Sequence, residues 1–304
     1  MKKYDVAAIG SGNIDIILGV PSLPDRGGKI VGKLLDQQVG GTVANSACVM
    51  ARLGLIVTSV SCIGDDIHGQ KIMADFQKFN VNCDFVRTLA GHAANLAVIF
   101  IDDSGEKSLV YAPGDTREWD EEDARKAIEQ SYYIYTMPSD IDKFQKIAAY
   151  ARQAKTKIIV DIEPHIAGTP ERLHAILSLA DIVIFNRAGF ISGCGDEPQE
   201  EHLQRLRQKY QLDAVVVTLD AEGVIAVTEY ESEKRACFDV PVIDTTGAGD
   251  AFNGAFIYSV INNTPLHSAL EFSSAMAAIS ITALGARGNL PDAQEVSKFI
   301  QANK

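Results

Sequence analysis

Short apolar and β-branched runs alternate along this chain with longer segments of helical periodicity. The runs YDVAAIG and VTSVSCIG break at glycine, and ADIVIFN ends at an asparagine. Between such runs, TVANSACVMARLG and DKFQKIAAYARQA place apolar residues at helical spacing. Alternation at this rhythm predicts an α/β fold, a mostly parallel sheet with helices on both faces. Ligands of such sheets bind beyond the carboxyl ends of the strands, so the residues that follow each strand are the candidate site residues.

Two segments, residues 13–39 and 91–114, break this rhythm because they alternate apolar and polar residues around Gly, Pro and Asp turns. The second segment predicts a hairpin with DDSGEK as its turn. Together they predict a small antiparallel sheet that projects from the main sheet as a lid over a substrate, within a single domain of residues 1–304. The alternative is that both segments form edge strands of the main sheet.

The charge balance limits the classes of partner. The 304 residues include 28 basic and 40 acidic side chains, a formal net charge of −12. This charge argues against a general binder of nucleic acid or of an anionic membrane. It leaves a small anionic ligand open, because backbone dipoles can hold a phosphate on an acidic protein.

Cysteine usage and hydropathy predict the compartment. The five cysteines are widely spaced and form no C-x-x-C pair, so reduced thiols are expected rather than a disulfide framework or a zinc site. The first apolar run is too short for a signal peptide. No uncharged apolar run reaches the roughly 18 residues of a membrane span. These features predict a cytoplasmic protein.

Two glycine-containing motifs predict a site for a hydroxylated ligand. GSGNID follows the first strand, but Asp15 stands where a dinucleotide-binding motif needs its third glycine, and strand-like residues follow. Asn13 and Asp15 are better explained as partners for ligand hydroxyls, or alternatively as a side-chain-stabilised turn. In GGTVAN, Gly40 and Gly41 allow close backbone approach and Asn45 offers both a donor and an acceptor.

The segment DVPVIDTTGAGDAFNGAF carries the clearest chemical signal. VPVID is predicted as a strand, TTGAG as a turn of small residues and DAFNGAFIYSVI as a helix. Successive N–H groups at such a helix start form an anion hole. Asp250 would lie beside that hole, where a carboxylate can take the proton of an attacking hydroxyl. The alternative is that Asp250 only caps the helix.

Several motifs in consistent order resemble the ribokinase/PfkB carbohydrate kinases. DTTGAGDAF resembles the second signature of this family, and GG-TVAN with RLG and CIGDDIHG resembles the first. GSGNID is similar to the end of the first substrate-contacting strand, and TLDAEG to the nucleotide-binding T-x-G-x-x-G. The resemblance spans residues 5–292.

The resemblance implies roles for individual residues. Sugar hydroxyls would be held by Asn13, Asp15, Gly40, Gly41 and Asn45. Asp250 would be the base, and the transferring phosphoryl group would be stabilised by N–H groups of Gly247, Ala248 and Gly249. The ATP side would be lined by Asn186, Thr218, Asp220, Gly223 and Ser274. Mg²⁺ would arrive with ATP, held largely by phosphates and water.

Some relatives place a potassium ion beside the anion hole. The matching positions here are Asp244, Thr246, Ser280, Ala283, Gly285 and Asn289. The alternative for Asp244 is that it only stabilises the turn before TTG.

The sequence also departs from the family pattern. The N-x-x-E motif reads NRAG, so Gly189 replaces a glutamate linked to metal and phosphate handling. Asp220 stands where glycine is usual, and Ser274 replaces a frequent asparagine. The missing glutamate and the GARGNLPD ending with Arg287 are more similar to the ketose and sulfofructose kinases than to ribokinase proper.

The residues and the resemblance together predict ATP-dependent phosphorylation of a primary hydroxyl on a small sugar. A homodimer formed through the lid is a further expectation. A nucleoside kinase is one alternative, although residues 13–45 contain no aromatic residue to receive a base. A non-catalytic sugar-binding protein is the other alternative, because of Gly189 and Asp220.

Overall fold

The computed structural model describes residues 1–104, 106–114 and 117–303. The strands in these ranges are β1 (Tyr4–Ile9), β2 (Asn13–Gly19), β3 (Lys33–Gly40), β4 (Val57–Gly64), β5 (Asn82–Leu89), β6 (Leu96–Ile101), β7 (Lys107–Ala112), β8 (Ser131–Thr136), β9 (Lys157–Ile162), β10 (Ile182–Asn186), β11 (Ala214–Thr218), β12 (Val224–Thr228) and β13 (Ser232–Arg235). The helices are α1 (Thr42–Arg52), α2 (Ile67–Lys78), α3 (Glu121–Glu129), α4 (Ile141–Ala154), α5 (Pro164–Ala167), α6 (Pro170–Leu177), α7 (Arg187–Cys194), α8 (Glu200–Tyr210), α9 (Ala248–Ile261), α10 (Leu266–Ser280) and α11 (Ala293–Ala302).

The main sheet has nine strands in the order β13-β12-β11-β10-β9-β8-β1-β4-β5. The strands from β11 to β5 pair in parallel, and β12 and β13 add an antiparallel edge. Consecutive parallel strands need a crossover, and the amphipathic helices supply it. The predicted α/β class with a mostly parallel sheet is confirmed.

Alternate residues of each strand face opposite helix layers. Val6 and Ala8 pack into one core, with residues of α1, α2 and α9–α11. Ala7 and Ile9 pack into the other core, with residues of α3–α8. Successive residues of a strand point to opposite faces of the sheet, and here helices cover both faces. In the described ranges, no helix combines the length and the apolar character needed to cross a bilayer.

The helix starts differ in how they are capped. Asp120, Asp140 and Asp292 each accept hydrogen bonds from first-turn N–H groups of α3, α4 and α11. The start of α9 has no side-chain cap; its N-cap residue is Gly247. The first turn of α9 therefore keeps N–H groups available for a ligand.

The second sheet lies within the two segments that break the βα rhythm. Its strand order is β3-β2-β6-β7, so these strands are not edges of the main sheet. The outer pairs are antiparallel, and the central pair β2–β6 is parallel. The central pair is parallel because β2 follows β1 and β6 follows β5, two strands of the main sheet that run in the same direction on either side of β4. The predicted DDSGEK turn joins β6 to β7, and its Gly105 lies outside the described residues.

The predicted strand VPVID is wrong. Residues 239–247 form no strand, and Val242 and Ile243 are 60% and 64% exposed. Pro241 has no N–H for a sheet ladder. The N–H groups of Ile243 and Asp244 instead donate to the carbonyl of Ile281. This segment is therefore held by the loop that follows α10 rather than by a neighbouring strand.

Candidate active site

The predicted sugar-binding residues meet where β1 leads into the second sheet. Asn13 pairs with Gly40 across β2 and β3, and Asn13 Nδ2 donates to Asp15 Oδ1 at 2.5 Å. A Cβ on Gly40 would lie 2.2 Å from Asp15 Oδ2, and Gly41 has φ of +102°, so both positions require glycine. Burial raises the pKa of Asp15, and the Asn13 hydrogen bond opposes that rise. The structure thus brings together the largely buried Asp15 carboxylate, the Asn13 amide and the backbone of two glycines.

One row of residues crosses the second sheet beside Asp15. Gln38, Asp15, Ala97 and Tyr111 are paired in register from β3 to β7. Directly paired residues project from the same face of a sheet, so these four side chains share the face that carries Asp15. Ala97 is the small, buried member of the row, and Tyr111 at the end of the row is half exposed.

The predicted base is held by two helices that pack closely. Asn45 Nδ2 of α1 donates to Asp250 Oδ2 of α9 at 2.7 Å, and Ser46 Oγ donates to the Asp250 carbonyl at 3.0 Å. The close approach needs Gly254, because a Cβ there would lie 2.7 Å from Val49. Burial raises the pKa of Asp250 to about 7, against the opposing effect of the Asn45 hydrogen bond. A carboxylate with this pKa suits a base that works near neutral pH.

The start of α9 presents N–H groups next to Asp250. Gly247 has φ of +77°, and the space above the Gly249 Cα is open. Ala248 N–H already donates to the Thr245 carbonyl at 3.2 Å. Among the described residues at the start of α9, Gly247, Gly249 and Asp250 have N–H groups with no backbone acceptor, and the role of the Ala248 N–H stays a prediction. The Asp250 carboxylate bonds Asn45 and not these N–H groups, so it is not a helix cap.

Arg287 orients Asn45, the hydrogen-bond partner of the predicted base, and no sequence motif indicated this contact. Its Nε donates to Asn45 Oδ1 at 2.8 Å, one terminal nitrogen contacts Asp75, and the other donates to the Gly40 carbonyl at 3.3 Å. The side chain is 6% exposed. Because the guanidinium fixes Asn45 Oδ1, Asn45 Nδ2 is turned toward Asp250.

A buried polar cluster supports α9 from behind. Asn253 Nδ2 donates to Asp161 Oδ2 at 3.0 Å and contacts Tyr135 Oη at 3.1 Å. Tyr135 Oη donates to the same Asp161 oxygen at 3.2 Å. Burial raises the pKa of Asp161 well above its ordinary value. No sequence motif marked this cluster, because its members come from three separate elements.

Asp244 connects the two loops that flank the predicted anion hole. Its Oδ2 accepts the Gly285 N–H at 2.9 Å, and its Oδ1 accepts Thr246 N–H at 3.0 Å and Thr246 Oγ1 at 2.7 Å. Burial alone would raise the pKa of Asp244, but these hydrogen bonds outweigh it and hold the pKa below its ordinary value. Lys107 of β7 places its ammonium 3.2 Å from Asp244 Oδ1. The second sheet thus contacts the anion-hole loops directly.

The other residues of the predicted cation site lie around the same loop. Ser280 ends α10 and its hydroxyl donates to the Ala277 carbonyl at 2.8 Å. Asn289 Nδ2 donates to Thr282 Oγ1 at 3.0 Å, and so closes the loop that contains Ala283 and Gly285. The structure therefore brings Asp244, Thr246 and Gly285 into contact and places Ser280, Ala283 and Asn289 near them.

Comparison with known proteins identifies the family. Residues 3–293 match the family described as pfkB family carbohydrate kinase. The chain belongs to the pfkB carbohydrate kinases. The ribokinase of Haemophilus influenzae is 29% identical over 307 residues, which cover 98% of this chain and 99% of that protein. The kinase therefore resembles a ribokinase along its whole length.

Solved structures share the fold of this kinase. Arabidopsis thaliana ribokinase complexed with ribose and ATP gives a TM-score of 0.86 at 24% identity, covering 98% of this chain and 99% of that one. A nucleoside kinase of Methanocaldococcus jannaschii gives 0.83 at 20% identity and covers 99% of both chains. The enzyme is an ATP-dependent sugar kinase, a phosphotransferase with an alcohol acceptor.

The residues predicted for the nucleotide side lie at neighbouring strand ends. Asn186 and Thr218 are paired at the ends of β10 and β11. Gly223 has φ of +107°, and a Cβ there would lie 1.9 Å from the Arg235 carbonyl. Asp220 has φ of +52°, a conformation that aspartate tolerates better than most side chains, so aspartate can replace the usual glycine. Ser274 is only 6% exposed on α10, which leaves little of its surface for a nucleotide.

The donor set suits a magnesium ion that arrives with ATP. Among the described residues, no three His, Cys, Asp or Glu side chains are grouped to hold a metal by themselves. Glu163, Asn186 and Thr218 offer oxygen atoms along the ends of β9, β10 and β11. Magnesium usually keeps water and takes one or two carboxylates in addition to substrate phosphates. When bound, it would neutralise phosphate charge during transfer.

Proposed function

We propose that this kinase transfers the γ-phosphoryl group of ATP to the primary hydroxyl of a pentose or a related small sugar, with Asp250 as the base. The observation that carries the proposal is the placement of Asp250. Its carboxylate accepts from Asn45 at 2.7 Å, has a pKa of about 7 and adjoins the unpaired N–H groups that start α9.

Each step of the proposed reaction has a residue to serve it. Asn13, Asp15 and Asn45 hold ring hydroxyls, which leaves the terminal hydroxyl to face Asp250. Its oxygen forms a bond to the γ-phosphorus while the bond to the bridging oxygen of ADP breaks, and Asp250 takes the proton. The N–H groups of Gly247 and Gly249 stabilise the charge on the phosphoryl oxygens.

The names of relatives support a pentose as acceptor. The relatives along the full length include ribokinases and a deoxyribokinase of Salmonella typhi that is 20% identical. The test is ADP release over pentoses, hexoses, ketoses, sugar acids and nucleosides. We expect the highest kcat/KM with a pentose. A preference for a ketose would support the likeness to ketose and sulfofructose kinases that Arg287 and Gly189 suggested.

Because of Tyr111, phosphorylation of a nucleoside is a second candidate function. It is the aromatic member of the row beside Asp15, and its ring is half exposed. An aromatic face can stack on a base. Activity confined to nucleosides in the same screen would favour this candidate. The non-catalytic alternative is disfavoured because Asp220 fits its turn and Asp250 is placed to act.

The pKa of Asp250 predicts the pH dependence of activity. The base must be deprotonated, and burial raises its pKa to about 7 in the free protein. We therefore expect kcat/KM to fall by about tenfold per pH unit below that pKa and to level off above it. The measurement is kcat/KM for the preferred sugar from pH 5.5 to 8.5, with circular dichroism as a check on folding. A profile that is flat across this range would exclude Asp250 as the titrating base.

Lys107 modifies the potassium prediction. We propose that its ammonium supplies the positive charge expected beside Asp244, since it already lies 3.2 Å from that carboxylate. Wild-type activity should then be similar in potassium and in tetramethylammonium. The Lys107→Met variant should lose about tenfold or more of kcat as the anion hole loosens, and potassium should restore part of it. A wild-type enzyme that needs potassium would contradict this proposal.

The outer part of the second sheet favours a second copy of the chain as partner. Leu34, Leu109 and Val110 are between 56% and 61% exposed on this sheet, and Val31, just before β3, is 87% exposed. Burial of such residues favours association. We propose a homodimer that forms through this sheet, which analytical ultracentrifugation would detect. We also propose a cytoplasmic location, where ATP is available.

A further inference from the structure

Glu163 lies at the carboxyl-terminal edge of the main sheet, beside the residues predicted for the nucleotide side. It follows β9 directly, and the pairing of Ile162 with Phe185 puts it beside Asn186, the last residue of β10. Its side chain is 36% exposed, and the one ion pair that it makes within the described ranges is with His165 at 3.6 Å. The carboxylate is therefore available to a ligand.

The structure explains why no acidic side chain stands at position 189. Gly189 N–H donates to Asn186 Oδ1 at 2.7 Å in the first turn of α7. A Cβ on Gly189 would lie 2.2 Å from the Ile162 carbonyl oxygen and 3.0 Å from the Glu163 Cα. The backbone of Glu163 thus fills the space that a side chain at 189 would need. An acidic group at this edge must come from another position.

Glu163 also acts electrostatically on the base. After burial, its negative charge is the leading cause that raises the pKa of Asp161, and it also raises the pKa of Asp250. Geometry agrees, because Asp161 lies two residues before Glu163 at the end of β9 and accepts a hydrogen bond from Asn253 of α9, the helix that carries Asp250. Asp161 accepts hydrogen bonds from Tyr135 and Asn253, and Asp250 is needed as the base. Of the three carboxylates, Glu163 is therefore the one that can bind a cation. A divalent cation there would offset the mutual repulsion.

We propose that Glu163 is the carboxylate through which this chain holds the magnesium ion of Mg·ATP, in the role left open by Gly189. This inference rests on the proposed kinase function. It assigns Glu163 to binding the metal–nucleotide complex, either directly or through a bound water, in the pattern of one carboxylate plus phosphates.

The test compares ATP affinity with and without Mg²⁺ by calorimetry, in the absence of sugar. We expect the wild type to bind ATP more tightly with Mg²⁺, and Glu163→Gln to lose about tenfold or more of that gain. ATP affinity without metal should be unchanged or slightly higher in the variant, because a negative charge is removed. Glu163→Asp should retain part of the gain, since it keeps the carboxylate.

Glu171→Gln is the matched control, because Glu171 is an exposed carboxylate in the first turn of α6. It should behave as the wild type. A Glu163→Gln variant that keeps the full magnesium gain would overturn the proposal, as would a wild type without any gain. Failure of the kinase proposal looks different, since ATP would then bind and no acceptor would be phosphorylated.

Discussion

Asp250→Asn is expected to lower kcat by about 10³- to 10⁴-fold, the upper part of the range for loss of a general base. Asparagine keeps the size of the side chain and can still accept the hydrogen bond from Asn45, which spans 2.7 Å in the wild type. What disappears is the ability to take a proton at neutral pH. Sugar and ATP should still bind, and ATP slightly better, because a negative charge near its phosphates is removed.

The measurement for Asp250→Asn is kcat beside calorimetric affinities for both ligands. Asp239→Asn makes the same chemical change at an exposed position of the preceding segment and should have wild-type kcat. An Asp250→Asn enzyme with more than about a tenth of wild-type kcat would lie well outside the range for a base. Asp250 would then have only a structural role.

Asp15→Ala should raise the KM for the sugar by about an order of magnitude or more. The carboxylate is withdrawn from water between Asn13 and Gly40, so burial raises its pKa. Leaving the sugar hydroxyls without this partner in a closed site should weaken the free energy of sugar binding by roughly 2 to 4 kcal/mol. ATP binding should stay nearly unchanged, because the nucleotide-side residues lie at the ends of β10 and β11.

Asp103→Ala serves as the control for Asp15→Ala, since Asp103 is an exposed carboxylate in the turn region of the same sheet. Its KM values should match the wild type. Equal losses of sugar and ATP affinity in Asp15→Ala, with a lower melting temperature, would show a structural role and contradict the assignment to sugar binding.

Most of the fold, and the position of Asp250 at the start of α9, could be predicted from the sequence. The strand period, the helical spacing and the glycine breaks are local signals, and they placed β1, β4, β10 and the helices between them. The placement of Asp250 also followed from local chemistry, because a turn of small residues before a helix leaves N–H groups free. The role that the family resemblance implies for Asp250 likewise rests on its local motif and needs no information about distant residues.

Contacts between distant segments could not be predicted. Arg287 reaches Asn45 and Asp75 across more than 200 residues of sequence, and Lys107 reaches Asp244 across 137. Neither pair has a spacing rule, since folding alone brings them together. The VPVID strand failed for a related reason. Its apolar residues predicted a strand, but Ile243 and Asp244 are bonded to the loop after α10.

The proposed reaction is transfer of a phosphoryl group from ATP to a primary sugar hydroxyl beside Asp250. Phosphorus–proton correlated NMR of the product tests it most directly, with the sugar that gives the highest kcat/KM. We expect the phosphorus to couple to the two protons of a terminal CH₂ group. Coupling to a single ring proton, at the anomeric or a secondary carbon, would contradict it.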